Sequence, residues 1–456
     1  MLRRFALAAA LAALATSPGL AAAQQTQDAF QRKLFDSPAL ASPYNEDLSE
    51  DEKIAGLSKF WSEVKYNFVF VDTLRKLDWD QLYLDTIPKV RATKSTAEYY
   101  KVLMALCAKL QDGHTNVYPV EQLYDAMLAS PLLATHLVEG RVLVREVLDP
   151  ALEARGVTAG SEILAIDGEP VQAYAEREVK PYVSASTPHD LVRRTYGSQL
   201  LAGPMGHKPR VTFVSSTGKR VDVALERVGM ARYGQAAPRR EPFELRMLPG
   251  NVAYVALNSF GNGAAADAYL AAFDRIAQSS ALVIDLRNNG GGNSSVGYKI
   301  LATLAAQPFA TSKWSTRNYI PTYRAWGRAM PNLEGDSKLQ PLDGARRYTK
   351  PVVVLTSGRT FSAAEDFMVA FATMKRGTIV GEPTGGSTGQ PLFVKLPGGG
   401  QARICTKNDT WPDGRQWIGI GIPPDLHVAP TVADVRAGRD TVLDAALAQL
   451  RAQLPR

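Results

Sequence analysis

The chain has 456 residues and a formal net charge of +7, with 52 lysines and arginines against 45 aspartates and glutamates. That length suits about two to four domains rather than one, and the basic residues are scattered without interleaved aromatics, which argues against a nucleic-acid-binding surface. The two cysteines, Cys107 and Cys405, exclude a disulfide-framed scaffold, and the five histidines stand apart with no HExxH or CxxC spacing, so neither a metal nor a cofactor is expected.

Residues 1–23 combine Arg3-Arg4, an alanine- and leucine-rich run and Ala21-Ala22-Ala23 before Gln24. This is the layout of a secretory signal peptide cleaved near Ala23. No later stretch approaches membrane-spanning length, so the expectation is a soluble secreted or periplasmic protein. A helix is expected over 47–70, with Ile54, Leu57, Phe60, Trp61 and Val64 on its apolar face. A second opens on the capping box Ser95-Thr96-Ala97-Glu98, carries Val102, Leu103, Leu106, Cys107 and Leu110 at helical spacing, and stops by Gly113. His114 follows at once in LQDGHTNV, and 115–120 reads as extended. A histidine held between a glycine stop and a strand is fixed in direction, although such residues are often satisfied locally.

From 126 to 230 the pattern changes to short strands and turns, giving a small β-rich module. A Pro- and Arg-rich connector over 236–242 closes it. Strand and helix then alternate: strands over 252–257 and 281–286, helices over 265–277 and 294–305, with the loop Arg287-Asn288-Asn289-Gly290-Gly291-Gly292-Asn293 between the last strand and helix. This alternation predicts an α/β core over 240–456. Residues 314–350 show no period and read as a surface insertion; strands are expected over 378–380, 392–396 and 402–405, and an amphipathic helix over 441–454.

The stretch PVVVLTSGRTFSAAEDF reads as a buried strand, a turn at Gly358 and a helix opening on Ser362. Ser362 with Glu365 has the form of a capping box, a purely structural device. The same position sets a hydroxyl beside free N–H groups and the positive end of the helix dipole. Serine, directed histidine and glycine-rich loop are together the nucleophile, base and backbone donors that acyl transfer requires.

LQDGHTNV, DPALEARGVTAGSEILAIDGEPV, VIDLRNNGGGN, LTSGRTFSAAEDF, VGEPTGGSTG and GIGIPPD occur in the order seen in tail-specific or C-terminal processing serine peptidases and the tricorn protease core. The chain resembles that family over roughly residues 50–430. The resemblance implies a crotonase- or Clp-protease-like α/β core over 240–456, an N-terminal helical region over 24–125 carrying His114, and a PDZ-like peptide-binding module over 126–230. It implies Ser362 as nucleophile and Gly290, Gly291 and Ala363 as oxyanion-hole donors, with a polypeptide as substrate. The processing branch carries a lysine base where this chain has Ser387, and Lys375 and Lys395 are poor substitutes, so the tricorn-like branch with His114 as base fits instead. That branch commonly has a glutamate where Ile418 stands, which leaves Asp112, Glu382, Asp413 or Thr115 open as the group that orients His114. The two departures also leave open a non-catalytic peptide-binding protein on a peptidase scaffold, and hydrolysis of small esters by the same serine.

Overall fold

The structure, a computed structural model, describes residues 38–453; the expected signal peptide lies outside them. Val352–Thr356 runs through a six-stranded sheet ordered Phe243–Leu248, Val252–Leu257, Ala281–Asp285, Val352–Thr356, Thr378–Gly381 and Leu426–His427. The first pair is antiparallel and the rest are parallel. Alternate side chains serve opposite layers: Val352 and Val354 pack with helices Ala264–Ala271, Ser294–Leu301 and Ala363–Thr373, whereas Val353 and Leu355 meet Val442, Ala446 and Leu450 of helix Thr441–Gln453. A strand covered on both faces needs apolar residues at every position, which is why this run is continuous rather than alternating.

The N-terminal helix Glu50–Asn67 opens on a capping box made by Ser49 and Glu52. Between it and Thr96–Ala108 lie two helices with no clear sequence signal, Val71–Leu77 and Trp79–Ala92. The second is capped by Asp78, whose carboxylate accepts the Gln81 N–H (3.2 Å). These helices enclose Phe60, Trp79 and Leu103 together with Val394, Leu396, Ala402 and Ile404. The hairpin Pro391–Lys395 and Gln401–Cys405 therefore leaves the α/β layers, where it was expected, and joins the N-terminal helices. Its apolar residues find their cover there, and Asn116–Tyr118 extends the hairpin to a three-stranded sheet.

Residues Leu133–Val138, Arg141–Val147, Glu162–Ile166, Arg210–Val214 and Arg220–Ala224 form an antiparallel sheet over a core that includes Val144, Ile163 and Phe213. The late segment Val432–Ala437 straps this module to the rest: Val432 packs on Val138 and Leu143, and Arg436 Nε donates to Gly160 O (3.3 Å). The insertion expected to be irregular contains the strand Lys313–Arg317, paired on one side with Asn332–Gly335 and on the other with Asn408–Thr410. Its strands were hidden because Leu333 and Leu339 face outward rather than into a core. The single helix expected over 265–277 is two, Ala264–Ala271 and Phe273–Ala277. Cys107 and Cys405 are both buried as free thiols. Among the described residues no helix is long and apolar enough to cross a membrane.

Phe367 is fully buried in the serine-bearing helix, with ring centroids 6.1 Å from Phe260 and 6.3 Å from Phe371. Phe367→Ala is expected to cost about 3–5 kcal/mol, read as a lower chemical-denaturation midpoint by circular dichroism. An unchanged midpoint would contradict this packing.

Candidate active site

Side chains and backbone of the turn between Val352–Thr356 and Ala363–Thr373 bond to the neighbouring glycine-rich loop. Ser357 Oγ donates to Arg287 O (2.8 Å), Thr360 Oγ1 to Leu286 O (2.9 Å) and the Phe361 N–H to Asn289 O (3.0 Å). Ser362 is thereby held at φ +58° and ψ −125°, a conformation that costs a residue with a side chain on the order of 1–3 kcal/mol. Its N–H is shared between the Glu365 carboxylate (3.0 Å) and Ser387 O (3.1 Å). Its hydroxyl meets His114 Nε2 at 3.1 Å.

His114 reaches this point from the other unit of the molecule because Asn116–Tyr118 pairs with Gln401–Cys405. The Cys405 N–H donates to Thr115 Oγ1 (3.0 Å), and the Arg403 guanidinium donates to Gly113 O (3.0 Å) and to Asn116 Oδ1. The buried imidazole stacks on Phe361, with ring centroids 4.8 Å apart and planes within 2°. Its other nitrogen, Nδ1, lies 2.8 Å from Ser387 Oγ, which donates to Asp112 Oδ1 (3.4 Å). Asp112 also accepts from Thr115 Oγ1 (2.6 Å) and Ser186 Oγ (3.2 Å).

The proton order follows from donor capacity. Ser387 Oγ donates to Asp112 Oδ1, which leaves its lone pair to accept from Nδ1–H. That tautomer leaves the Nε2 lone pair facing the Ser362 hydroxyl. Burial raises the Asp112 pKa, against its hydroxyl donors and the charge of Arg403. Burial, with smaller contributions from Arg403, Arg194 and Lys407, pushes His114 down to about 3, so its resting form is the neutral imidazole.

Ser387 is placed by a second buried carboxylate. Glu365 accepts from Thr384 Oγ1 (2.6 Å) and the Gly386 N–H (2.7 Å) at one oxygen, and from the Ser387 (3.0 Å) and Ser362 (3.0 Å) N–H groups at the other. Burial pushes its pKa up to about 8 against those four donors. Behind the loop, Gly419 N–H donates to Gly386 O (2.8 Å) and Ile422 N–H to Thr384 Oγ1 (2.8 Å).

Ser362 and His114 are thus brought together across 248 positions. Gly291 is not available as a donor: Asn289, buried and anchored through Nδ2 to Leu257 O (2.9 Å), takes the Gly291 N–H on Oδ1 (2.8 Å). What Gly291 supplies is space, since at φ +95° a Cβ there would fall 2.7 Å from Ser362 Cβ and 2.8 Å from Ala363 N. The Ala363 N–H and that of exposed Gly290 make no hydrogen bond among the described residues. Of the residues left open as orienters, Asp112 is linked to His114 through Ser387, with Thr115 supporting it. Asp413 instead pairs with exposed Arg415, and Ile418 packs against the apolar core. Lys375 follows the far end of the serine helix, and Lys395 ends an edge strand of the three-stranded sheet. Ser387 was missed as a linker because the sequence marks it only by the absence of a lysine.

Residues 251–428 match the profile of Peptidase family S41. This segment is an S41 peptidase domain. The matched segment carries Ser362 and Ser387, while His114 and Asp112 come from outside it. The tricorn protease homolog 2 of Streptomyces coelicolor is 24% identical over 402 residues, covering 81% of this chain and 30% of that protein. The chloroplastic C-terminal processing peptidase of Tetradesmus obliquus is 27% identical over 297 residues, covering 63% of this chain and 57% of that one. The chain therefore spans between about a third and just over half of the length of these two relatives. In three dimensions it is similar to mature CPAF, with a TM-score of 0.67, 16% identity, and coverage of 88% of this chain and 98% of that one. At that identity the likeness shows the mixed α/β fold that the S41 domain shares.

A histidine whose folded pKa lies far below its unfolded value of about 6.5 keeps its proton off until the pH approaches about 3. Labelling of Ser362 by a fluorophosphonate is therefore expected to proceed at a level rate from about pH 5 to pH 7, below the range in which Glu365 titrates. Stability follows the same sign, present above the unfolded value and lost as pH falls toward the folded one. A labelling step near pH 6.5 would show that the imidazole is not buried in this way.

Proposed function

We propose that this protein is an exported serine peptidase that hydrolyses peptide bonds in extended or C-terminal segments of polypeptides. The observation that carries the reading is the chain Asp112, Ser387, His114, Ser362, whose contacts suit the tautomer in which Nδ1 carries the proton and Nε2 can accept that of the serine. Ser362 Oγ attacks the scissile carbonyl carbon as its proton passes to His114 Nε2. The oxyanion that forms is met by the N–H of Ala363 at the helix N-terminus, with the unengaged N–H of Gly290 as second donor. Collapse breaks the C–N bond, and the leaving amine takes the proton from Nε2. Water then releases the acyl group by the same path, with the imidazole again as base.

A base with so low a resting proton affinity accepts the proton only as negative charge develops opposite it. The oxyanion donors and the relay to Asp112 are therefore expected to carry a large share of the rate. The β-rich module is read as PDZ-like and as the part that delivers the peptide by strand addition. Export rests on the signal-peptide layout of residues 1–23, and puts the site in the periplasm or outside the cell.

With an unfolded polypeptide as substrate, Ser362→Ala and His114→Ala are each expected to abolish cleavage, and Asp112→Asn to reduce kcat by about 10²–10⁴. Ser387→Ala, which breaks the link to Asp112 without touching the nucleophile, is expected to lower kcat by about tenfold or more with KM little changed. Parent-like cleavage by Ser362→Ala would remove the peptidase reading, and peptide binding without fluorophosphonate labelling would favour a binding protein instead.

A further inference from the structure

The carboxylate end of the relay has a support that comes from the β-rich module. Just before the helix Pro188–Arg193 the chain runs as Ser184-Ala185-Ser186-Thr187, and this mostly buried segment touches both Asp112 and the loop that presents Ser387. Ser186 Oγ accepts the Gly113 N–H (2.8 Å) and donates to Asp112 Oδ1 (3.2 Å), the same oxygen that Ser387 Oγ meets. An amide N–H only donates, so the Ser186 oxygen accepts from Gly113 and its own proton is free for Asp112. Like Asp112 and His114, Ser186 lies outside the segment that matches the S41 profile.

The residues after Ser186 hold it in place. Thr187 Oγ1 donates to Gly385 O (3.2 Å) and accepts the Asp190 N–H (3.1 Å) that opens the helix. His189 Nε2 donates to Thr384 O (2.6 Å). Gly386, at φ +73°, leaves room for this approach, since a Cβ there would collide with the Thr187 methyl group. Two hydroxyls from separate parts of the chain therefore converge on one carboxylate oxygen, each anchored through its own backbone neighbours.

Burial disfavours a charge on Asp112, and hydroxyl donors favour it. Ser186 acts against burial together with Thr115, the His114 N–H and the charge of Arg403 from the strand Gln401–Cys405. Two thiols also face Asp112, Cys107 from the helix Thr96–Ala108 and Cys405 from that strand. Burial raises both, so neither carries a charge. Were Asp112 to take up a proton, it would donate to Ser387 Oγ, the Ser387 proton would turn to Nδ1, and the one imidazole proton would pass to Nε2. An Nε2–H facing Ser362 Oγ has no lone pair with which to accept the serine proton.

We propose that Ser186 is a positioning residue of the relay: its hydroxyl keeps Asp112 as the accepting end and thereby holds the His114 proton on Nδ1. What the relay serves rests on the peptidase reading, whereas the tautomer is a property of the resting protein.

The test compares the full chain with Ser186→Ala, Ser186→Cys and Ser186→Thr from about pH 7 downward. Histidine-selective nitrogen-15 NMR reads the tautomer, with the His114 signals, among those of five histidines, assigned by their loss in His114→Gln. Fluorophosphonate labelling reads the reactivity of Ser362 in the same samples. The parent is expected to show the Nδ1–H form. In Ser186→Ala the passage to Nε2–H, and the fall in labelling that accompanies it, are expected at a pH about one unit higher than in the parent, the shift that one hydrogen bond to a charged group sustains. Ser186→Cys, a weaker donor of nearly the same shape, is expected to move both in the same direction by less, and decides the matter should the alanine variant not fold. Ser186→Thr keeps the hydroxyl and is expected to follow the parent. An Nε2–H tautomer in the parent near neutral pH overturns the proposal, as does a transition pH that the folded alanine or cysteine variant leaves unmoved. A parent chain with the Nδ1–H form that takes no label would support the positioning role and count against the peptidase reading alone.

Discussion

Everything at the serine depends on the buried carboxylate of Glu365. One group accepts hydrogen bonds from the backbone of Ser362 and Ser387, from the backbone of Gly386 and from the hydroxyl of Thr384. It therefore ties the hydroxyl that faces Nε2 and the hydroxyl that faces Nδ1 to a single rigid point. Burial lifts its pKa to about 8 even against the four donors, which offset only part of the cost of desolvating the group. In return the strained backbone of Ser362 gains a stabilised N–H, and the loop from Thr384 to Ser387 cannot drift from the helix that carries the serine.

Around that point two units of the molecule meet. The α/β layers supply the serine, the glycine-rich loop and Ser387, while the N-terminal helices supply Asp112 and His114. A strand at the end of the helical unit pairs with a hairpin that the late part of the chain has sent across to it. The contact is strengthened by Arg403, which holds the carbonyl just before His114, and by Thr115, which serves Asp112 and Cys405 at once. The imidazole is consequently fixed by hydrogen bonds on both nitrogens and by a parallel ring beneath it.

Ser387 sits between the buried Asp112 and the imidazole of His114. The resemblance to the processing peptidases makes this the place of a basic residue, and the chain has a hydroxyl there. A hydroxyl can both donate and accept, so it carries polarity from Asp112 to the imidazole, which a lysine ammonium, having donors only, could not do. The acidic residue expected near position 418 is then unnecessary, and the apolar Ile418 is free to pack into the core.

Local pattern in the sequence was enough for the strand, turn and helix around Ser362, for the helix that ends before His114, and for the alternation of the α/β layers. Each of these is written in the spacing of apolar residues and in the caps and glycines at their ends. Val71–Leu77, Trp79–Ala92 and the strands of the insertion were not legible, because part of their surface faces outward and blurs the period. Nor could spacing reveal that Asn289 captures the Gly291 N–H, or that Ser387 joins Asp112 to His114. The sequence by itself determined which residue types stand at element ends; only the tertiary structure decided which of them meet, because hydrogen-bond partners hundreds of positions apart are chosen by packing and leave no local trace.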